Sequence, residues 1–272
     1  MSDEVAVQRD GTVIEITLNR PPANALNARV STLLYEAFRE LNDDDGLRVG
    51  ILMAGENERG IFSAGWDLKE VAQGEGRSDE EGFDLGPGGL GGLPEYWDLC
   101  KPVIAAVGGI AVGGGFEMAL GADIICASDD AAFWLPEMQR GFLPDAGAIQ
   151  KLHHIVPRNV AADLILTGRR MSANEAKHWG MVRDVVPKAD LHDHVREVAA
   201  TIAAGAPLVS KAYKEFMRAA GNSSPEDAHR LTRQAWVGKS GLTHSETMLN
   251  SEDFDEGSMA FAEKRPPVFK GR

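Results

Sequence analysis

The chain has 272 residues and a formal net charge of −13, with 43% hydrophobic and 25% charged residues. This length suits one large domain, or one domain with an appendage, and the composition is that of an ordinary globular protein. The excess of acid argues against a nucleic-acid-binding protein, which needs a basic face for the phosphates. The N-terminal residues lack the features of a signal peptide, and no apolar run is long enough to span a membrane. We therefore expect a cytoplasmic protein with neither nucleic-acid nor membrane partners.

Apolar patterns predict strands that alternate with helices. Residues 12–18 alternate apolar and polar side chains, as in a half-buried strand, and apolar residues at helical spacing follow from about Ala28 to Leu41. Short apolar runs typical of buried strands are Val49–Met53, Pro102–Val107, Asp123–Ala127 and Ala132–Leu135. Cys100 and Cys126 lie in apolar segments and are expected to be buried thiols. The alternation favours an α/β fold.

Two regions differ from this pattern. Glycine and acidic residues prevail from Ala72 to Pro94, where we expect a long surface loop, either disordered or a lid over the site. Strand patterns stop beyond about Ala206, and helical spacing takes over in Pro207–Ala219 and Pro225–Val237. We therefore divide the chain into a core, residues 1–205, and a helical region, residues 206–272, suited to oligomer contacts.

Two turns built from small residues suggest a site that holds an oxyanion. The first, Gly113-Gly114-Gly115, precedes a predicted helix, and glycines allow a ligand to approach backbone N–H groups closely. The second turn is Ser63-Ala64-Gly65-Trp66. One N–H donor from each turn would suit the enolate oxygen of a thioester, and each donor could contribute roughly 3 kcal/mol to the transition state. Close packing of a helix on a strand is the alternative explanation of the glycines.

Two glutamates add the capacity to move protons. Glu117 falls in the first turn of the predicted helix, where any carboxylate is favoured electrostatically. Glu137 follows the apolar run Phe133–Pro136, and burial would raise its pKa and suit it to proton transfer near neutral pH. Exposure at a strand end is the alternative for Glu137. Asp67 is either a helix cap or an acid, and Lys69 either a surface lysine or a contact for a phosphate-bearing ligand.

Four segments match the motifs of a known family. They are Arg20-Pro21 with Asn24-Ala25-Leu26, Phe62–Lys69, Lys101–Val107 leading into the glycine turn, and Phe261–Arg265. With these motifs, essentially the whole chain resembles the crotonase (enoyl-CoA hydratase/isomerase) superfamily. The resemblance implies a crotonase-type spiral of ββα units with a C-terminal helical trimerisation region, assembled as a homo-trimer or as a hexamer formed by two trimers.

The resemblance also implies a reaction, the reversible hydration of an α,β-unsaturated acyl-CoA thioester. Coenzyme A arrives as part of the substrate, and no metal, flavin or nicotinamide cofactor is expected. Because family members that isomerise or hydrolyse often lack one glutamate, the presence of both favours a hydratase. An isomerase or thioester hydrolase that uses the same oxyanion hole is the alternative, and a CoA- or RNA-binding protein without catalysis is a third possibility.

The resemblance assigns roles to individual residues. The backbone N–H groups of Trp66 and Gly114 would hold the thioester oxygen, Glu117 would act as base toward water, and Glu137 would exchange the proton at the α-carbon. The implied CoA-binding residues are Ala64, Trp66, Asp67, Leu68 and Lys69, with Phe261 and Lys264 reaching the CoA of a neighbouring subunit.

Within the superfamily, three segments are most similar to enzymes whose acyl-CoA substrate carries a trimethylammonium group on its acyl chain. They are Gly65–Lys69, Gly86–Gly89 and Phe261–Arg272. Such a cation needs aromatic faces, and Trp66, Trp97 and Trp134 are the predicted cage residues. Packing in the core, or a narrower pocket for a short-chain enoyl-CoA, is the alternative role of these tryptophans.

The chain departs from the family pattern after Pro144. Ala148 replaces a glycine, a change that we expect to alter the loop beside Glu137. His153 and His154 stand where the family has arginine and proline, and we expect them to lie on a helix. Since no partner at ligand spacing accompanies these histidines, we predict that they bind no metal.

Overall fold

The computed structural model describes residues 4–74, 77–78, 82–221 and 223–272, with only the backbone described at 77–78 and 82–83. The strands are β1 (Val5–Asp10), β2 (Val13–Leu18), β3 (Ala25–Leu26), β4 (Val49–Ala54), β5 (Ile61–Ser63), β6 (Gly65–Trp66), β7 (Arg77–Ser78), β8 (Gly82–Phe83), β9 (Val103–Val107), β10 (Ile110–Val112), β11 (Ile124–Ser128), β12 (Ala132–Trp134), β13 (Arg170–Ser172) and β14 (Asp184–Val186). The helices are α1 (Ala28–Asp43), α2 (Leu68–Ala72), α3 (Gly114–Leu120), α4 (Ala148–Ile155), α5 (Arg158–Thr167), α6 (Ala173–His178), α7 (Leu191–Ala203), α8 (Pro207–Gly221), α9 (Pro225–Ala235), α10 (Thr243–Leu249) and α11 (Glu252–Glu263).

Two principal sheets share the chain in a repeating order. Six strands form the larger sheet in the order β1–β2–β4–β9–β11–β14, and four form the smaller sheet in the order β13–β12–β10–β5. The pairs β1–β2 and β12–β13 are antiparallel, and the other pairs in these two sheets are parallel. Strands β4, β9 and β11 enter the larger sheet, and the strand that follows each of them enters the smaller one. This repeat produces the spiral that the family resemblance implied.

The apolar stripe of α1 fills part of the main core. Leu34, Phe38 and Leu41 are fully buried there, and the helix begins where the Asn27 side chain accepts a hydrogen bond from Val30 N–H at 2.8 Å. Such a cap satisfies one of the free N–H groups in the first turn. A second apolar cluster joins α7 to the larger sheet through Leu191 and other residues. Both predicted buried thiols, Cys100 and Cys126, are free and buried.

The predicted surface loop at residues 72–94 is wrong over Gly88–Pro94, where every residue is buried. Leu90 and Leu93 belong to the main core. A Cβ at Gly92 would lie only 2.4 Å from the Tyr35 backbone N, so glycine is required where this segment meets α1. Its glycines therefore allow close backbone contact instead of marking solvent exposure. Part of the predicted loop, residues 75–76 and 79–81, lies outside the described residues.

Helices α8 to α11 make up the last part of the chain. In the described residues no strand follows β14, in agreement with the end of the strand patterns. The C-terminal tail returns to the core, because the Arg48 guanidinium donates hydrogen bonds to the carbonyl oxygens of Ala203 at 2.7 Å and Phe269 at 2.8 Å. None of the described helices is both long enough and apolar enough to cross a membrane. The division at residue 205 and the oligomer contacts of this region stay predictions.

Candidate active site

Strand pairing brings the two predicted glutamates together. Strands β10 and β12 are parallel neighbours in which Val112 pairs with Trp134, and Gly113 N–H donates to the Trp134 carbonyl oxygen at 2.8 Å. The carboxyl ends of parallel neighbours lie at the same edge of a sheet. The segments that carry Glu117 and Glu137 therefore leave the smaller sheet side by side.

The two glycine turns also meet at this edge. Gly65 has a φ of +76°, and a Cβ there would lie 2.5 Å from the Val112 carbonyl oxygen and 2.7 Å from the Gly114 nitrogen. A Cβ at Gly114 would in turn lie 3.4 Å from the Trp66 nitrogen and 2.3 Å from Leu90 Cδ2. Within the described part of the chain, no group accepts a hydrogen bond from Gly114 N–H. Glycine thus lets both predicted N–H donors approach one point.

Glu117 is almost completely enclosed, with a relative exposure of 3%. Its Oε1 accepts a hydrogen bond from Ala148 N–H at 3.1 Å, at the start of α4. Burial raises the pKa of Glu117 to about 8, the Ala148 hydrogen bond opposes that rise, and the nearby charge of Glu137 adds to it. Ala148, expected beside Glu137, therefore contacts Glu117 instead.

Glu137 begins a short 3-10 helix, Glu137–Arg140, directly after Pro136. Its Oε1 covers Gly113, where a Cβ would lie only 2.3 Å from that oxygen. Its Oε2 is buried and has no hydrogen-bond partner among the residues that the structure describes. Burial raises the pKa of Glu137, and the charge of Asp145 raises it further while Arg140 lowers it. A buried carboxyl oxygen without a partner is available to a ligand.

The described residues enclose a cavity of about 570 Å³ at this edge. Its lining includes Gly113, Gly114 and both glutamates. The apolar and aromatic part of the lining consists of Ala64, Trp66, Leu68, Leu85, Leu90, Val112, Pro136, Phe142, Leu143 and Ala146. Its remaining charged residues are Glu95, Arg140 and Asp145. A volume of this size, lined mostly by apolar groups with a few convergent polar ones, is typical of a small-molecule site.

The predicted CoA loop divides into two sets of residues. Ala64, Trp66 and Leu68 line the cavity. Asp67 instead caps α2, accepting a hydrogen bond from the backbone N–H of Lys69 at 3.2 Å, and forms an ion pair with Arg20 at 2.8 Å. Lys69 is exposed on α2. The capping interpretation of Asp67 is therefore the one that its contacts support.

The two predicted acyl-pocket tryptophans do not line this cavity. Trp134 donates its indole N–H to the Gly168 carbonyl oxygen at 2.7 Å, and the Arg170 guanidinium carbon lies 4.5 Å from its ring centre. Pairing of β12 with β13 turns this side chain toward Arg170. Trp97 is 66% exposed on the surface of the chain. The aromatic pair in the cavity is Trp66 with Phe142, whose ring centres are 6.4 Å apart.

Phe261 and Lys264 lie at the end of α11, and Phe261 is 88% exposed. Neither residue lines the cavity of its own chain. His153 and His154 lie on α4 as predicted, with ring centres 3.9 Å apart. The prediction that they bind no metal stays a prediction.

One group of potential metal ligands in the described part of the chain lies outside the cavity. It consists of Cys126, Asp184 and His194, whose ligand atoms lie within 4.8 Å of one another. Asp184 already pairs with Lys177 at 3.5 Å and Arg183 at 3.2 Å. Two cations beside the carboxylate oppose the approach of a metal ion.

Several residues that line the cavity were not predicted from the sequence, among them Leu85, Leu90, Glu95 and Phe142. The first three fall in or just after the segment that was expected to be a surface loop. Phe142 follows the 3-10 helix at Gly141, a residue with a φ of +78°. Gly141 was the feature of the sequence that could have indicated this turn, because a glycine often ends a helix by taking a positive φ.

Comparison with known proteins identifies the family. The sequence profile of the Enoyl-CoA hydratase/isomerase family matches residues 8–272. The chain belongs to this family. Carnitinyl-CoA dehydratases of Salmonella paratyphi B and Shigella flexneri are 46% identical to it over 272 residues, which is the whole of this chain and of each relative.

Solved structures of the family share the fold. An enoyl-CoA hydratase from Mycobacterium tuberculosis has a TM-score of 0.84 and 34% identity, and one from Mycobacterium marinum has a TM-score of 0.85 and 35% identity. In both comparisons the match covers all of both chains. The predicted resemblance and the crotonase fold are thereby confirmed. The chain is a hydro-lyase of the enoyl-CoA hydratase/dehydratase type, acting on CoA thioesters.

Proposed function

We propose that this enzyme adds water reversibly across the α,β double bond of an enoyl-CoA, using Glu117 and Glu137 as its acid–base pair. The observation that carries this proposal is the meeting of two carboxyl groups with raised pKa values in one cavity, next to the Gly114 N–H. An isomerase needs no activated water, and the second carboxyl group gives a reason to prefer hydration.

The thioester carbonyl oxygen accepts hydrogen bonds from the N–H groups of Trp66 and Gly114. In the hydration direction, Glu117 takes a proton from water while the water oxygen bonds to the β-carbon. Negative charge moves to the thioester oxygen, where each N–H donor stabilises it by about 3 kcal/mol. Glu137 then gives its proton to the α-carbon. Dehydration reverses these steps, so Glu137 removes the α-proton and Glu117 protonates the leaving hydroxyl group.

Both directions need one proton on the glutamate pair. Hydration begins with the proton on Glu137, and dehydration begins with it on Glu117. The two carboxyl groups raise each other's cost of ionisation, since burial and their mutual charge both oppose a second negative charge. A singly protonated pair is the state that such an environment favours near neutral pH.

The proposed substrate pair is crotonobetainyl-CoA and carnitinyl-CoA. Full-length relatives with 46% identity carry the name carnitinyl-CoA dehydratase, and the aromatic rings of Trp66 and Phe142 line the cavity. Aromatic faces attract a quaternary ammonium group. The alternative is a short-chain enoyl-CoA hydratase without this preference. Coenzyme A is part of the substrate, and the proposed steps call for no further cofactor.

We also propose a homo-trimer, or a dimer of trimers, in which Phe261 and Lys264 contact the CoA of a neighbouring subunit. Both residues are exposed at the end of α11, and neither lines the cavity of its own chain. These two observations are consistent with contact to a neighbouring subunit. Sedimentation of the purified protein measures the assembly directly, and a monomer that retains full activity would contradict this part of the proposal.

The experiment on the glutamate pair compares Glu137→Gln with Glu58→Gln, which removes a charge from an exposed surface position. We expect turnover of the enoyl-CoA substrate to fall by about 10²- to 10⁴-fold in Glu137→Gln, since the acid–base group is lost, and to stay unchanged in the control. Binding of the saturated thioester should be almost unaltered in both. Undiminished turnover in Glu137→Gln would remove the two-glutamate mechanism.

A further inference from the structure

The cavity is lined by two acidic side chains that have no role in the proposed proton transfers. Besides the catalytic pair, its lining holds Glu95 and Asp145, against a single cation, Arg140. Arg140 acts on Glu137, whose pKa its charge lowers, and forms no ion pair with Glu95 or Asp145. Its guanidinium donates to the Pro136 carbonyl oxygen at 3.4 Å and lies 5.7 Å from the centre of the Trp134 ring.

Neither of these two carboxylates is neutralised by the described residues. No ion pair or side-chain hydrogen bond to the carboxylate of Glu95 or Asp145 is found in residues 4–74, 82–221 and 223–272, although most other acids near the cavity have one. Asp145 lies close enough to raise the pKa values of both catalytic glutamates by its charge. Both side chains are exposed, so water weakens the negative field that they place on the cavity without cancelling it.

The two carboxylates come from segments that meet beside Glu117. A Cβ at Gly147, two residues after Asp145, would lie 3.9 Å from Pro94 Cβ and equally far from Glu117 Cβ. Pro94 directly precedes Glu95. The Glu95 carboxylate rests on Gly89, where a Cβ would lie 2.5 Å from its Oε1. Glycine at that position leaves room for the acid to lie against the loop.

We propose that Glu95 and Asp145 select acyl groups that carry a fixed positive charge, so that they act as specificity residues in the acyl part of the cavity. The inference rests on the proposed hydration of an enoyl-CoA and adds the residues that decide which acyl group is accepted. A quaternary ammonium group has no N–H to donate, so charge and aromatic faces are the means by which a protein recognises it. The same carboxylates disfavour anionic acyl groups by repulsion, which adds to the selectivity.

A matched pair of substrates separates charge from shape. One is 4-(trimethylammonio)but-2-enoyl-CoA (crotonobetainyl-CoA), and the other is its carbon isostere, 5,5-dimethylhex-2-enoyl-CoA, in which a tert-butyl group replaces the cation. The variants are Glu95→Gln, Asp145→Asn and the double variant. Asp98→Asn is the control, because Asp98 is an exposed acid three residues after Glu95 and does not line the cavity.

We expect the kcat/KM ratio of the cationic to the neutral substrate to fall about tenfold in each single variant, and further in the double variant. The control should keep the wild-type ratio. Since the neutral isostere reports folding and catalysis in the same protein, a change in the ratio cannot come from a damaged site alone. An unchanged ratio in the double variant would overturn the inference.

Binding of saturated thioesters gives a second measure that needs no turnover. Inhibition by 4-(trimethylammonio)butanoyl-CoA should weaken about tenfold in each variant, whereas inhibition by 5,5-dimethylhexanoyl-CoA should not. A wild-type enzyme that hydrates both enoyl substrates without preference would overturn the inference and leave the proposed hydration intact. Loss of hydration with both substrates, together with equal binding of the two saturated thioesters, would overturn both.

Discussion

Replacement of Glu117 by glutamine should make the protein more resistant to unfolding at alkaline pH. The folded state raises the pKa of Glu117 from an ordinary value of 4.5 to about 8, mainly because burial disfavours the charged form. A group whose pKa is raised on folding contributes stability below its unfolded pKa, and that stability is lost as the pH rises through the folded pKa. Glutamine does not ionise, and its oxygen can still accept the hydrogen bond from Ala148 N–H.

The magnitude follows from the two pKa values. At about 1.4 kcal/mol per pH unit, the wild-type protein should lose on the order of 5 kcal/mol of unfolding free energy between pH 4.5 and pH 8 through this group. This figure is an upper limit, since Glu117 and Glu137 titrate as a pair and share the effect. Even half of it is a large fraction of the stability of a typical domain.

The assay is urea-induced unfolding of the wild type, Glu117→Gln and the exposed control Glu58→Gln between pH 5 and pH 9. The stability advantage of Glu117→Gln over the wild type should grow as the pH rises to about 8 and then level off, whereas the control should follow the wild type. Parallel curves for Glu117→Gln and the wild type would refute the burial argument, because they would mean that Glu117 ionises in the folded protein as it does in water.

Three other predictions test the site and its support. The pH profile of kcat/KM should be bell-shaped, with its alkaline limb near pH 8 where the glutamate pair loses its last proton, and a profile still rising at pH 9 would contradict the shared proton. Gly113→Ala should reduce turnover by about 100-fold, because its Cβ would lie 2.3 Å from Glu137 Oε1. The control Gly11→Ala has a similar positive φ and open space around it, so equal losses of turnover in the two variants would contradict this explanation. Arg20→Met should destabilise the protein by about 2 kcal/mol by leaving the carboxylates of Asp67 and Glu70 without their ion pairs, as measured by urea unfolding, and an unchanged midpoint would show that these pairs contribute nothing.

Local patterns in the sequence predicted strands β2, β4, β9, β11 and β12 and helices α1, α3, α8 and α9, but few of the others. The apolar stripe predicted a helix from Ala28 to about Leu41, and α1 runs from Ala28 to Asp43. The run Val49–Met53 became β4, Val49–Ala54, because continuous apolar runs suit strands buried on both faces. Strand β1 was missed, since three of its residues are exposed polar ones at the edge of the larger sheet.

The glycine-rich segment before Pro94 shows where composition misleads. Its glycines resemble those of a disordered loop, yet Gly92 is needed because any side chain would strike the backbone of α1. Composition alone cannot separate glycines that give flexibility from glycines that permit close packing. The distinction depends on the neighbouring element, which is separated from this segment by about fifty residues.

The candidate site was predictable in kind and incomplete in detail. Glu117, Glu137 and the two glycine turns were recognised from sequence, but their meeting depends on the register between β10 and β12, which lies beyond local patterns. The role of Trp134 was missed for the same reason, because pairing with β13 decides which way its side chain points. Charges such as Glu95 and Asp145 become noticeable only when the fold places them on one cavity.

The most direct test of the proposed hydration follows the absorbance of the conjugated enoyl thioester, with purified enzyme and either crotonobetainyl-CoA or crotonyl-CoA. The reaction is run in ¹⁸O-labelled water, and the masses of the products are measured by mass spectrometry. We predict loss of absorbance, one labelled oxygen in the acyl group and an intact thioester, with the cationic substrate preferred. Release of free thiol, or a product of unchanged mass, would contradict hydration and indicate a hydrolase or an isomerase.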